Sequence, residues 1–412
     1  MTRTADRPAP AAAALERWRA LPAWAQVLAV FLASRVLTTI VLLRFASVQP
    51  DTWQTSQQPG LLEFSNIWDA EWYQRIALRG YPGELPRGPD GRVTENAWAF
   101  MPLYPALVRA VMLLTPLPFQ AAAILVSLVF GYLAALVTHR LLAGLLDPGR
   151  ALFAVALFCT GPTSPLLQLG YAESMQMFWT ATLLLLLLRR RWRLMAPVVL
   201  LASITRPTGL AWAMTLGLYF LWRLWRARRG EEPFGGRELA AVAGVGLLSF
   251  AAGFLWPAAA WAATGEVHAY VDTELAWRSH YTGPVELVPF TPWFHGAEFW
   301  LGRMLGLPGP LAPIATLALA TAVFGATALP AVRRLGPEVR MWLVSYFSYL
   351  FAVFFPQSST FRLLMPMFPI LGALAVPRDP VWRIGVLLLC FAGQLGWVTI
   401  CWYVVGHDWT PP

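Results

Sequence analysis

Residues 100–114 read FMPLYPALVRAVMLL, and whether this stretch crosses a bilayer decides how the rest of the chain is threaded. Around it, the 412-residue chain is 57% hydrophobic and only 13% charged, with 21 Trp. Soluble domains carry about 25% charged residues. The chain repeats apolar runs of roughly 20 residues, the length a membrane-spanning helix needs. The composition therefore predicts an all-α polytopic membrane protein.

All 31 basic residues are arginine. They gather in short hydrophilic loops and form no single stripe, which argues against a nucleic-acid partner. Cys159, Cys390 and Cys401 all lie in apolar segments and provide neither a disulfide framework nor a metal spacing. Arg3, Arg7, Arg17 and Arg19 precede the first apolar run, at about 22–45. That run is too long for a secretory signal and no small-residue cleavage site follows, so it is expected to be an uncleaved span leaving a cytoplasmic tail, 1–21.

The positive-inside rule turns topology into a question of parity. Arginine-rich loops at 147–150, 189–193, 223–230, 333–340 and 377–383 should all be cytoplasmic, like the N-terminus. A full span at 100–114 would place several of them outside. The stretch is short and holds Pro102, Pro105 and Arg109, so it is predicted to lie flat on the outer leaflet. Eleven spans follow: 22–45, 119–146, 150–168, 172–188, 194–205, 208–225, 238–263, 310–332, 341–356, 361–376 and 382–404. They leave a first outer loop at 47–118 and a second at 264–309 on one integral membrane domain, 1–412. The turns TGPTSP (160–165) and TRPTG (205–209) interrupt apolar runs. Broken backbone at membrane depth is tolerated only against protein or a wet cavity, so a cavity opening to the outer face is expected. No internal repeat of the transporter kind is evident.

The first outer loop carries FSNIWDAEWYQRIALRGYP, residues 64–82. Trp68, Trp72 and Ile76 recur at helical spacing beside Tyr73, making an amphipathic interfacial helix with rings suited to the headgroup level. Two readings of its acids stand side by side. Asp69 could complement the helix N-terminus behind a Ser65 or Asn66 cap, and Glu71 could pair with Arg75 one turn on. Alternatively Asp69 is a working carboxylate, with Glu71 a lesser candidate. Residues two apart on a helix point about 200° from each other, so the two can grip one metal only if the helix starts after them. Three more charges fall near membrane depth, where ionisable groups tend to mark function: Glu173 in LGYAESM, Arg206 in SITRPTGL and Arg362 in SSTFRLLMP. An internal ion pair for Glu173 and snorkelling for the arginines are their plain alternatives. Together with Asp69 they favour a site for an anionic lipid headgroup, because guanidinium groups match phosphate geometry. Arg35 and Arg109 are expected at the interface. The second loop's His268, Asp272, Glu274, Arg278, His280 and His295 lack the His-x-x-x-His spacing of a zinc site; a solvated loop or acceptor-binding lip is expected there, and no metal or other cofactor.

Taken in order, WDAEWYQRIALRGYP, FMPLYPALVRA, GYAES, TRPTGLAW and FRLLMPMFPI resemble the PIG-V family of mannosyltransferases across most of residues 20–376. One departure is TRPTG, where eukaryotic members tend to read Arg-Ser-Asn-Gly. The resemblance implies a GT-C glycosyltransferase fold whose first outer loop carries a catalytic acid and juxtamembrane helices. It also implies a polyprenyl-phosphate-mannose donor, used with inversion on the outer face of the cell membrane, and a membrane-associated lipid, glycan or protein acceptor. Enzymes of this kind are often metal-independent, though some relatives hold a divalent ion. On this reading Asp69 is the proton acceptor, and Arg206 and Arg362 stabilise the leaving phosphate. Glu173 positions hydroxyls or an arginine, while Trp72, Tyr73 and Tyr104 join Glu71 in holding substrate at the headgroup level. A lipid-linked-sugar flippase and a non-catalytic subunit remain the alternatives, and a partner subunit stays open.

Overall fold

The computed structural model describes residues 16–405 and 411–412; residues 1–15 of the expected cytoplasmic tail lie outside it. Among the described residues the chain is helical, with one isolated antiparallel bridge, Arg87 to Val93. The longer helices are α1 (Ala23–Ala46), α2 (Asp69–Arg79), α3 (Leu103–Leu114), α4 (Phe119–Ala143), α5 (Pro148–Thr160), α6 (Glu173–Leu188) and α7 (Trp192–Ser203). There follow α8 (Gly209–Arg228), α9 (Gly236–Gly253), α10 (Leu255–Thr264), α11 (Ala269–Thr282), α12 (Leu311–Ala326), α13 (Gly336–Val353) and α14 (Pro380–Trp397). Four stretches are long and apolar enough to cross a bilayer: Ala23–Ala46, Phe119–Ala143, Gly236–Thr264 and Pro380–Trp402. This is the architecture of a membrane protein.

The helix in residues 100–114 has 12 residues, about 18 Å at the helical rise, against a hydrocarbon core of roughly 30 Å. It does not reach across. Its first amide, that of Leu103, donates to the Ile204 carbonyl at 3.1 Å, and it packs between α2 and α4. Arg109 on this helix donates to the Ala77 carbonyl near the end of α2, where the helix dipole favours a cation. Arg109 itself stays exposed, and this bond ties the two helices together.

Small residues set the closest approaches. A Cβ on Gly209 would stand 2.5 Å from the Gly253 nitrogen, so α8 and α9 meet there backbone to backbone, as membrane helices do. Trp212 of α8 stacks on Trp342 of α13 with ring centroids 4.2 Å apart. α4 packs on both α5 and α6, and α1 on α5.

The run expected as a span at 150–168 stops being α-helical at Thr160 and resumes as a single 3-10 turn, Ser164–Leu167. That break frees carbonyls which need partners. Arg35, 5% exposed, supplies them from α1, donating to Cys159 O at 2.6 Å and Ser164 O at 2.7 Å. The expectation that Arg35 sits at the interface is therefore corrected. It is a buried cap for a broken helix.

The two large loops meet at one end of the bundle. Arg87 pairs with Glu266 at 2.5 Å and Asn96 donates to the Thr273 hydroxyl at 2.9 Å, while Trp256 of α10 donates from Nε1 to the Trp98 carbonyl of the first loop at 2.8 Å. Arginine-rich loops also meet one another: Asp147 pairs with Arg150 and Arg378, and Arg190 with Glu232 and Glu238.

Candidate active site

The site is assembled where four segments end. Trp68 adopts φ +60° and ψ −121°, a region that costs a bulky residue on the order of 1–3 kcal/mol. Its amide donates to Gln54 Oε1 at 3.0 Å, and its ring packs edge-on against Trp53. This turn starts α2 at Asp69, whose amide donates to the Tyr171 hydroxyl at 3.1 Å. No side-chain cap closes the helix. Asn66 donates instead to the Leu62 and Gln120 carbonyls, so the expected Ser65 or Asn66 cap does not form.

The Asp69 carboxylate faces inward. Its Oδ2 receives Arg362 Nη1 and lies 3.8 Å from Arg206 Nη2. Arg206 in turn donates to Glu173 Oε1, and that oxygen lies 3.6 Å from Arg362 Nε. Two carboxylates and two guanidiniums thus alternate in a closed, formally neutral quartet. Glu173 is 1% exposed and opens α6, where the helix dipole favours an anion. Arg206 comes from the turn between α7 and α8, and Arg362 from the short helix Thr360–Leu363. The Arg362 guanidinium lies 5.4 Å from the centre of the Tyr171 ring. The four charges expected on one face are therefore in contact.

The quartet is not saturated. Glu173 Oε2, Arg206 Nε, Arg362 Nε and the Tyr73 hydroxyl are buried without a hydrogen-bond partner. Unmet buried polar atoms cost about 1–3 kcal/mol each, so such a cluster marks a place for a polar ligand or water. Asp69 Oδ1 also receives no hydrogen bond from the described residues, and the side chain is 13% exposed.

The remaining sequence candidates lie around this centre. Glu71 pairs with Arg75 at 3.3 Å, one turn along α2, and Arg75 covers the Trp72 ring at 4.6 Å. Because the helix begins at Asp69, Asp69 and Glu71 diverge as two residues of one helix must, and they cannot share an ion. Trp72 stacks on Phe100 and meets Trp277 edge-on. Tyr73 is buried beside Tyr104, Phe100 and Tyr171. Tyr104 is fully buried; its hydroxyl lies 3.1 Å from the Ala123 carbonyl and 3.0 Å from Ser127 Oγ, which ties α3 to α4. Among the described residues no three His, Cys, Asp or Glu side chains gather as metal ligands.

Two supporting residues went unassigned in the sequence. Tyr171 touches both Asp69 and Arg362, and sits inside the GYAES motif. Gly170 lets that loop close on the first outer loop: its amide donates to the Ser65 carbonyl at 3.0 Å, and a Cβ there would stand 2.3 Å from Asn66 Oδ1.

No family model matches this chain, and no curated protein matches it. Among solved structures it is similar to the oligosaccharyltransferase of Archaeoglobus fulgidus. The apo form aligns at 14% identity and a TM-score of 0.48, over 93% of this chain and 56% of that one. The same protein, AglB, in complex with an inhibitory peptide and a dolichol-phosphate, aligns at 14% identity and a TM-score of 0.45, over 89% and 55%. This chain spans about half the length of those structures.

Proposed function

We propose that the chain is a GT-C glycosyltransferase that moves a sugar from a polyprenyl-phosphate donor to a hydroxyl of a membrane-associated acceptor. Mannose as the sugar, and inversion at its C1, follow from the PIG-V resemblance. The outer face of the cell membrane as the place of reaction follows from charge parity. The observation that carries the reading is the quartet, in which two guanidiniums adjoin a carboxylate that keeps one oxygen open.

In the reaction the acceptor oxygen attacks C1 while its proton passes to Asp69. The C1–O bond to phosphate breaks and the electron pair leaves on the phosphate. That leaving group is already an anion, so no general acid is required. Arg362 and Arg206 stabilise it, exchanging part of their hold on Asp69 and Glu173 for the phosphate oxygens. Donor binding thereby loosens Asp69 and makes it a better base. Glu173 keeps Arg206 aimed at the site, and Tyr73, propped by Tyr104, offers its unpaired hydroxyl to the sugar. Trp72 and Glu71 flank the entrance. A flippase would also use cations in a cavity, but it has no need of a proton acceptor beside them.

Purified protein given radiolabelled polyprenyl-phosphate mannose and acceptor-bearing membranes tests the reading. Asp69→Asn should lose transfer by about 10²–10⁴-fold, the usual span for removing a general base, while eluting as a folded protein. Near-wild-type turnover would remove Asp69 from the mechanism. Arg362→Ala should raise the donor KM; an unchanged donor KM and kcat would take the phosphate away from Arg362.

A further inference from the structure

The quartet accounts for the donor but leaves the acceptor without a binding surface. The two large loops enclose a recess of about 710 Å³, within the range of sites for drug-sized ligands. One wall is the first loop around its Arg87–Val93 bridge, with Thr94 and Glu95. The other is the face of α11 that carries Asp272 and Ser279, two turns apart on one side of the helix. Two contacts clamp the walls together: Asn96 donates to the Thr273 hydroxyl at 2.9 Å, and His280 Nε2 lies 3.0 Å from Glu95 Oε1. Trp72 also lines the recess. It stands three residues after Asp69 on α2, a spacing that puts Cβ atoms about 5–6 Å apart. The recess therefore lies one helical turn from the proposed base.

The groups left uncommitted in the recess accept hydrogen bonds. Its two arginines are engaged, Arg87 by Glu266 and the Gly91 carbonyl, and Arg92 by Asp90 at 4.0 Å, so neither is free for an anion. Thr94 and Ser279 direct their hydroxyl protons to the Pro86 and Ala276 carbonyls, which leaves them oxygen lone pairs. Asp272 is half-buried, and its carboxylate has no hydrogen-bond or ion-pair partner among the described residues. A ligand seated here has to bring the protons. A carboxylate can take two at once, one on each oxygen, and adjacent hydroxyls of a sugar supply both.

We propose that this recess is a glycan subsite: it holds a sugar unit of the acceptor next to the one that reacts, with Asp272 accepting hydrogen bonds from its hydroxyls, while the attacking hydroxyl reaches Asp69 beyond Trp72. The inference rests on the transferase reading and deepens it, because it makes the acceptor a glycan of more than one sugar, free or lipid-borne. Asp272 also lies in the first turn of α11, where a carboxylate favours the helix dipole. That role bears on stability, whereas the glycan role bears on the acceptor KM, so the two are separable.

The test uses full-length protein in detergent, radiolabelled polyprenyl-phosphate mannose, and washed membranes from source cells lacking the gene as acceptor. Periodate cleaves vicinal diols, so membranes treated with it and quenched should lose their acceptor capacity. Asp272→Asn should raise the acceptor KM about tenfold or more and leave the donor KM where it is. Ser279→Trp, which fills the recess from the same wall, should do the same without touching a charge. Product in the organic phase marks a lipid-borne glycan and product in the aqueous phase a free one; either supports the subsite. A wild-type acceptor KM in both variants would overturn the assignment, as would acceptor capacity that survives periodate, the result expected of a peptide. A lower melting temperature with an unchanged acceptor KM would reduce Asp272 to its helix. Failure of the wild-type protein itself to make product would instead overturn the transferase reading.

Discussion

Asp69 illustrates what a single residue's neighbours decide. On α2 alone it is an acid in the first turn of a helix, indistinguishable from one that serves the helix dipole. Tyr171 and Arg362, 102 and 293 residues away, give it another role. The quartet is also a structural element, since removing one partner of a buried ion pair strands the other at a cost of about 3–5 kcal/mol. Glu173→Gln is therefore expected to lower the detergent melting temperature as well as activity, because Glu173 is the most buried member and its loss leaves Arg206 unbalanced. An unchanged melting temperature would show that the quartet is not a stability centre. Glu71→Gln, by contrast, removes only a half-exposed i,i+4 pair worth a few tenths of a kcal/mol and should leave the melting temperature where it is.

At the scale of elements, the site depends on where helices stop. α5 breaks at Thr160, α7 at Ser203 and α13 at Val353, and each break delivers a loop to the same end of the bundle. Proline and glycine in TGPTSP and TRPTG made two of these breaks legible in sequence. What closes the first was not legible, because Arg35 reaches its carbonyl partners at Cys159 and Ser164 from another helix. Arg35→Ala should unfold at markedly lower temperature than the wild type, with Arg35→Lys only partly restoring it, since one ammonium cannot span both carbonyls as a guanidinium fork does. Equal melting temperatures for all three proteins would deny Arg35 its capping role. The contact between Gly170 and Asn66 makes a second case. Gly170→Ala puts a methyl group into Asn66 and should push Asp69 out of register, cutting activity. The double variant Gly170→Ala/Asn66→Ala should regain much of it, and no recovery would place the defect elsewhere.

Across the whole molecule, the threading predicts which surfaces face out. Leu113 and Val267 are 75% and 60% exposed at the loop end, and Val381 is 77% exposed near the Arg378–Asp147 pair. In a variant lacking the three native cysteines, Cys substituted at 113 or 267 should react with an impermeant maleimide on intact cells. Cys substituted at 381 should react only after permeabilisation, and the opposite pattern would reverse the topology. Sequence by itself determined the helical membrane class and a short helix within 100–114, and it singled out the four charges Asp69, Glu173, Arg206 and Arg362, because burying charge in a bilayer is costly enough to leave a compositional trace. Only the tertiary structure decided that these charges form one quartet and that Arg35 caps a broken helix. Pairing across more than 100 residues is set by packing, and no local periodicity carries that information.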